Sequence, residues 1–135
     1  MFKYVKTIGA HCGAPEPELF AINNASNMPA GCLCELLNGR ITSSDNDGKS
    51  KFITLERKVA NDGKTKIKCI RVLPGMLFDV DFDGDTANAP AGDFVSPALD
   101  DEGFLTLCEE GGTNIEVVDT SKYNNTGKIT VTIHC

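Results

Sequence analysis

Turn-forming residues constrain this chain more than anything else in it. Thirteen glycines and six prolines fall among 135 residues, and they cut the apolar stretches into pieces too short for ordinary helices. Between the cuts, apolar and polar residues alternate with the two-residue period of a strand. Residues 128–134 set Ile129, Val131 and Ile133 on one side, and residues 76–82 alternate Val80 and Phe82 with Asp79 and Asp81. Asn38-Gly39 is a two-residue hairpin signal, because both residues tolerate positive φ. Asn61-Asp62-Gly63-Lys64 predicts a second hairpin turn, and Pro74-Gly75, residues 84–92 and Gly111-Gly112 interrupt the chain again. Residues 52–59 fit a helical as well as a strand period, and strand is favoured because the neighbouring pieces are strands. About nine strands and no helix are predicted, which makes the fold class all-β: a compact small β-barrel or sandwich. A chain of this length builds one core.

The first eighteen residues stand apart from that pattern. Residues 2–8 alternate only loosely, and Pro15 and Pro17 exclude a helix and push Ala14 and Glu16 toward extended backbone. The expectation is an extended N-terminal arm, residues 1–18, with little core of its own, followed by a single β domain, residues 19–135. An arm of this kind becomes ordered by lying on a neighbouring subunit.

The formal net charge is −6, which argues against generic binding to nucleic acid or to an anionic membrane. The charge is unevenly spread. Residues 1–40 are neutral, residues 41–75 carry eight basic and four acidic groups, and residues 76–135 carry two basic and twelve acidic groups. Either folding keeps the last two segments apart, giving a basic and an acidic side suited to a charged partner, or it interleaves them and the dipole cancels. Lys64, Lys66 and Lys68 alternate onto one strand face, consistent with a protected edge or with contact to an acidic protein surface. No apolar stretch approaches the roughly 20 residues that span a bilayer. Lys3 and Lys6 stand where a secretory signal would be apolar, so synthesis in a cytoplasm is expected.

Candidate chemistry is sparse. Asp79, Asp81, Asp83, Gly84 and Asp85 match the opening of a calcium-binding EF-hand loop, but Pro90 stands where the bidentate Glu belongs. The alternative is a strand with acids on its wet face. Six cysteines, at 12, 32, 34, 69, 108 and 135, are read as free thiols, several of them buried. Cys32-x-Cys34 lacks the spacing of a zinc knuckle. Two histidines and no nucleophile elbow, phosphate loop or His-Glu-x-x-His helix argue against an enzyme.

Several stretches together carry a family resemblance. Phe2-Lys3-Tyr4-Val5-Lys6 runs into Gly13-Ala14-Pro15-Glu16-Pro17-Glu18, and Pro29-Ala30-Gly31 opens a strand. Arg71-Val72-Leu73-Pro74-Gly75-Met76 precedes the alternating acids, and Gly92-Asp93-Phe94-Val95 and Gly127-Lys128-Ile129-Thr130-Val131-Thr132-Ile133 follow. This resembles the small all-β structural proteins of tailed bacteriophages, in particular head decoration (cement) proteins. The resemblance implies a virion protein on the capsid surface, a homotrimer whose partner is the major capsid protein, and no cofactor. It also implies that an arm bearing Phe2, Lys3, Tyr4, Val5, Ile8, Pro15 and Pro17 adds as a strand to a capsid sheet edge. Copies bound together would stabilise the shell by mass action and avidity. The cysteine count departs from that picture. A small calcium- or carbohydrate-binding β module, with Asp79, Asp81, Asp83 and Asp85 as ligands, and a tail or baseplate structural protein are the alternatives.

Overall fold

The computed structural model describes residues 2–7, 15–43, 52–99, 105–108 and 114–134. Eleven strands occupy them: β1 (Lys3–Thr7), β2 (Glu18–Ala21), β3 (Leu33–Leu37), β4 (Arg40–Ser43), β5 (Phe52–Thr54), β6 (Lys66–Arg71), β7 (Met76–Asp83), β8 (Phe94–Leu99), β9 (Leu105–Cys108), β10 (Ile115–Asp119) and β11 (Lys128–Ile133). A short 3-10 turn, Thr86–Asn88, and one helical turn, α1 (Tyr123–Thr126), complete them. The fold is all-β, as the turn-punctuated alternation predicts.

The strands form two sheets and do not close into a barrel. One has six strands in the order β1-β7-β11-β10-β8-β9, and the other five in the order β2-β6-β5-β3-β4. A two-residue parallel ladder from β9 to the end of β7 curls the larger sheet. A single Ile22↔Ile41 bridge brings the end of β2 against β4 in the smaller one. Side chains from both sheets meet in one core. Met76, Phe78, Val80 and Phe82 of β7, with Ile129, Val131 and Ile133 of β11, pack on the same apolar interior as Leu33, Ile53 and Ile67. Every second residue of β7 and β11 is therefore removed from water, and this burial is the main stabilising term.

Local chemistry explains most boundaries. Asn38 and Gly39 take φ of 52° and 76°, the left-handed pair that lets a two-residue hairpin follow the twist of β3 and β4. Gly127, at φ 70°, ends α1 by donating its N–H to the Tyr123 carbonyl at 2.8 Å. The strand expected over residues 52–59 stops at Thr54. Beyond it Leu55 and Val59 turn outward while Lys58 turns inward, and the buried lysine needs partners that a straight strand would not bring to it.

The N-terminal segment differs from a projecting arm over residues 2–7. Phe2 is 3% exposed and belongs to the core, its ring edge-on to Phe78 with centroids 6.0 Å apart. β1 pairs antiparallel with β7, Lys3 opposite Asp79 and Tyr4 opposite Phe78. The boundary drawn at residue 18 falls within β2, whose Glu18 pairs with Cys69 of β6. The buried Phe2 ring and the pairing with β7 together hold the segment on the domain.

Among the described strands the two charged segments are not interleaved. β4, β5 and β6, from the basic segment, lie in the smaller sheet, and β7 to β11, from the acidic segment, lie in the larger one.

Candidate functional site

β1 forms one end of the six-stranded sheet. Its inner edge is paired with β7, and among the described residues no strand pairs with its outer edge. The strand is anchored at its start, where the Phe2 N–H donates to the Gly31 carbonyl at 2.7 Å. It is held on the core side by Tyr4, which meets Phe78 at 6.3 Å between ring centroids and shares a 2.9 Å hydrogen bond with Thr7. The register shifts between Tyr4 and Lys6, so Val5 sits at a bulge and is 41% exposed. Lys3 and Lys6 are exposed, and neither joins an ion pair among the described residues. A rigid strand with an open edge, flanked by two cations, can accept an extended segment bearing acidic side chains. The lysines also oppose pairing of two copies edge to edge.

Of the arm residues singled out from the sequence, Phe2, Lys3, Tyr4 and Val5 come together on β1 and its anchor. Pro15 and Pro17 sit immediately before β2 and are not part of that edge. Ile8 lies outside the described residues.

The aspartate row on β7 does not form a calcium loop. The strand holds Asp79, Asp81 and Asp83 on its outer face, where β11 pairs with it in register: Thr130 opposite Asp79 and Lys128 opposite Asp81. Asp79 receives both carboxylate contacts of Lys122 at 3.0 Å and a 2.7 Å hydrogen bond from the Thr130 hydroxyl. Asp81 meets Lys128 at 2.8 Å. Partial burial pushes the Asp81 carboxyl up, but positive neighbours, Lys128 among them, more than offset this and hold it below its ordinary value. Asp85 takes a different role, accepting the Ala87 N–H at 2.9 Å to cap the 3-10 turn. Among the described residues no three His, Cys, Asp or Glu side chains gather as a metal site. An extended strand spaces its carboxylates along the sheet instead of wrapping them round an ion, and Lys122 from the β10–β11 connection and Lys128 from β11 already neutralise two of them.

Lys66 and Lys68 of β6 face outward from the smaller sheet, with Leu19, 61% exposed, opposite Lys68 on β2. Lys64 faces Glu56 at 3.7 Å. Arg71 lies over Phe20 and Phe52, 5.7 and 5.3 Å from their ring centroids, and makes two hydrogen bonds to Glu18 at 2.7 and 3.3 Å. That fork clamps β2 onto β6.

Sequence reasoning overlooked Lys58. It is fully buried, and its three protons go to the Asn24 carbonyl at 2.8 Å, the Val59 carbonyl at 2.6 Å and Asp62 Oδ1 at 2.7 Å. Asp62 also accepts the Val59 and Lys64 N–H groups. The Lys58 hydrogen bond, followed by that from the Lys64 backbone, lowers the Asp62 carboxyl to about 2. The i to i+4 spacing from Lys58 to Asp62 is the one signal of this pair that the sequence carries.

Cys32, Cys34 and Cys69 are free and buried. Burial pushes the Cys32 thiol up to about 12. Hydrogen bonding with Cys69, followed by burial, pushes Cys34 up as well. Cys32 and Cys34 therefore stay as neutral thiols near neutral pH, and all three serve as small core side chains. Cys12 and Cys135 lie outside the described residues.

In comparisons with known proteins, no protein-family model, no curated protein and no solved structure matches the chain.

Proposed function

We propose that this chain is a non-enzymatic docking protein of a larger assembly, and that the assembly is the head of a tailed bacteriophage, with the chain as its decoration (cement) protein. The observation that carries the docking reading is the outer edge of β1, unpaired among the described residues on a strand that Phe2 and Tyr4 hold rigidly. The capsid as partner is supported by the sequence resemblance. A capsid strand laid along that edge would continue the six-stranded sheet across the junction. Its backbone hydrogen bonds would give affinity, and Lys3 and Lys6 would select an acidic segment.

This modifies the arm mechanism that the sequence suggests. Residues 3–7 need no ordering on contact, because β7 already fixes one edge. Binding then avoids most of the ordering entropy that a free arm would lose. Identical copies on a repeating shell, grouped as trimers, would add avidity to a modest single contact.

The test is stoichiometry. Phage particles from the genome that encodes this chain are purified, and its copy number is measured against the major capsid protein. A copy number matching the capsid lattice supports the reading. Absence from intact particles contradicts it, and a few copies per particle would point to the tail or baseplate instead.

A further inference from the structure

A cleft of about 510 Å³ opens beside the Ile22↔Ile41 bridge, where the two ends of the smaller sheet approach each other. Arg40 of β4, Lys66 of β6, Asn23, Asn24 and Thr65 line it. The acceptors on this lining are largely consumed. The Asn23 carbonyl takes the Ser26 N–H at 3.0 Å, and its side-chain Oδ1 takes the Ala25 N–H at 2.9 Å. The Asn24 carbonyl takes Asn61 N–H at 2.7 Å and Lys58 Nζ at 2.8 Å, and its Oδ1 takes the Gly63 N–H at 2.8 Å. The Thr65 carbonyl takes the Ile22 N–H at 3.0 Å.

Donors are what this lining has left. Both asparagine side chains spend their oxygen on the backbone and keep their NH₂ groups. Arg40 and Lys66 join no ion pair among the described residues, although the chain as a whole is acidic. Two cations beside one cleft repel each other, and an anion between them relieves that repulsion. The turn that carries Asn24 is pinned from beneath by buried Lys58, so its donors are held in place before any ligand arrives.

We propose that this cleft binds an oxyanion, a carboxylate or a phosphate, through Arg40, Lys66 and the Asn23 and Asn24 amide groups. The guanidinium fork donates to two oxygens of such a group, and the lysine donates a further charge-assisted hydrogen bond. The site lies on the other sheet from β1 and does not depend on the docking reading.

The full chain is titrated with inorganic phosphate and, separately, with citrate, while backbone amide NMR signals are followed. Saturable shifts confined to residues around the cleft are expected. Tighter phosphate binding identifies a phosphate site, and tighter citrate binding a carboxylate site. Lys66→Gln is expected to weaken binding about tenfold, the loss of one charge-assisted hydrogen bond, and Arg40→Gln by more than that, since it removes the fork. Lys68→Gln, on the same face of β6 but outside the cleft lining, is expected to leave binding unchanged. All three positions are exposed, and an unchanged thermal midpoint confirms folding. Absence of saturable shifts with both probes overturns the proposal, as does a loss in Lys68→Gln equal to that in Lys66→Gln.

Discussion

Phe2 and Phe78 meet edge to face where β1 begins its pairing with β7, their ring centroids 6.0 Å apart and their planes inclined by 77°. The second residue of the chain is thus part of the hydrophobic core. Truncating Phe2→Ala removes a buried ring and leaves a cavity against Phe78, at a cost of about 3 kcal/mol. Urea unfolding should show that loss. Amide exchange in β1 should rise more than in β11, which keeps its own packing.

Lys58 ties the β5–β6 connection to the turn at Asn24 from inside the protein. Lys58→Met keeps the volume but leaves the Asn24 and Val59 carbonyls and Asp62 without their shared donor. The expected cost is about 2 kcal/mol, the loss of hydrogen bonds made by a buried charged donor. Denaturant unfolding measures it, and an unchanged midpoint would count against the lock.

Acid should weaken the fold through depressed carboxyls. Asp62, at about 2 in the folded chain, with Asp81 and Asp119 also lowered, lies below the unfolded value of about 3.9. Groups of this kind contribute stability that is fully present above the unfolded value. It is lost as pH falls through the folded values. Thermal midpoints should therefore hold near neutral pH and drop as pH falls from about 4 toward 2. In Asp62→Asn that drop should be shallower.

Calcium should do nothing to stability. Asp79 and Asp81 are already occupied by Lys122 and Lys128, and a cation would have to displace both. The thermal midpoint at millimolar calcium should equal that in chelator. A rise that disappears in Asp81→Asn would reverse this conclusion.

The three described buried thiols should resist alkylation in the folded protein. Cys32 and Cys34 are raised and shielded from solvent, so too little thiolate reaches reagent. Mass spectrometry after iodoacetamide should find them modified only in denaturant.

The alternation along β7 and β11 was legible because one face of each strand is buried, and a period of two records that burial directly. The Asn38-Gly39 hairpin was legible because its backbone demands those residues. The aspartate row was visible but its meaning was not. Asp79 and Asp81 lie on β7, while Thr130 and Lys128 face them from β11, far along the chain, and only strand register joins them. Lys58 was hidden for a similar reason: two of its three partners, Val59 and Asp62, are near in sequence, but its burial depends on the distant turn at Asn24. The cleft at Arg40 and Lys66 was equally hidden, since β4 and β6 are separated by two strands in the sheet.

Hydrogen–deuterium exchange of Lys3–Thr7 tests docking by β1 most directly, comparing the free protein with the protein bound to its particle. The account predicts that amides on the outer edge of β1 exchange freely in solution and become protected on binding, through hydrogen bonds to the added strand. Unchanged exchange at β1 in a fully bound sample would contradict it.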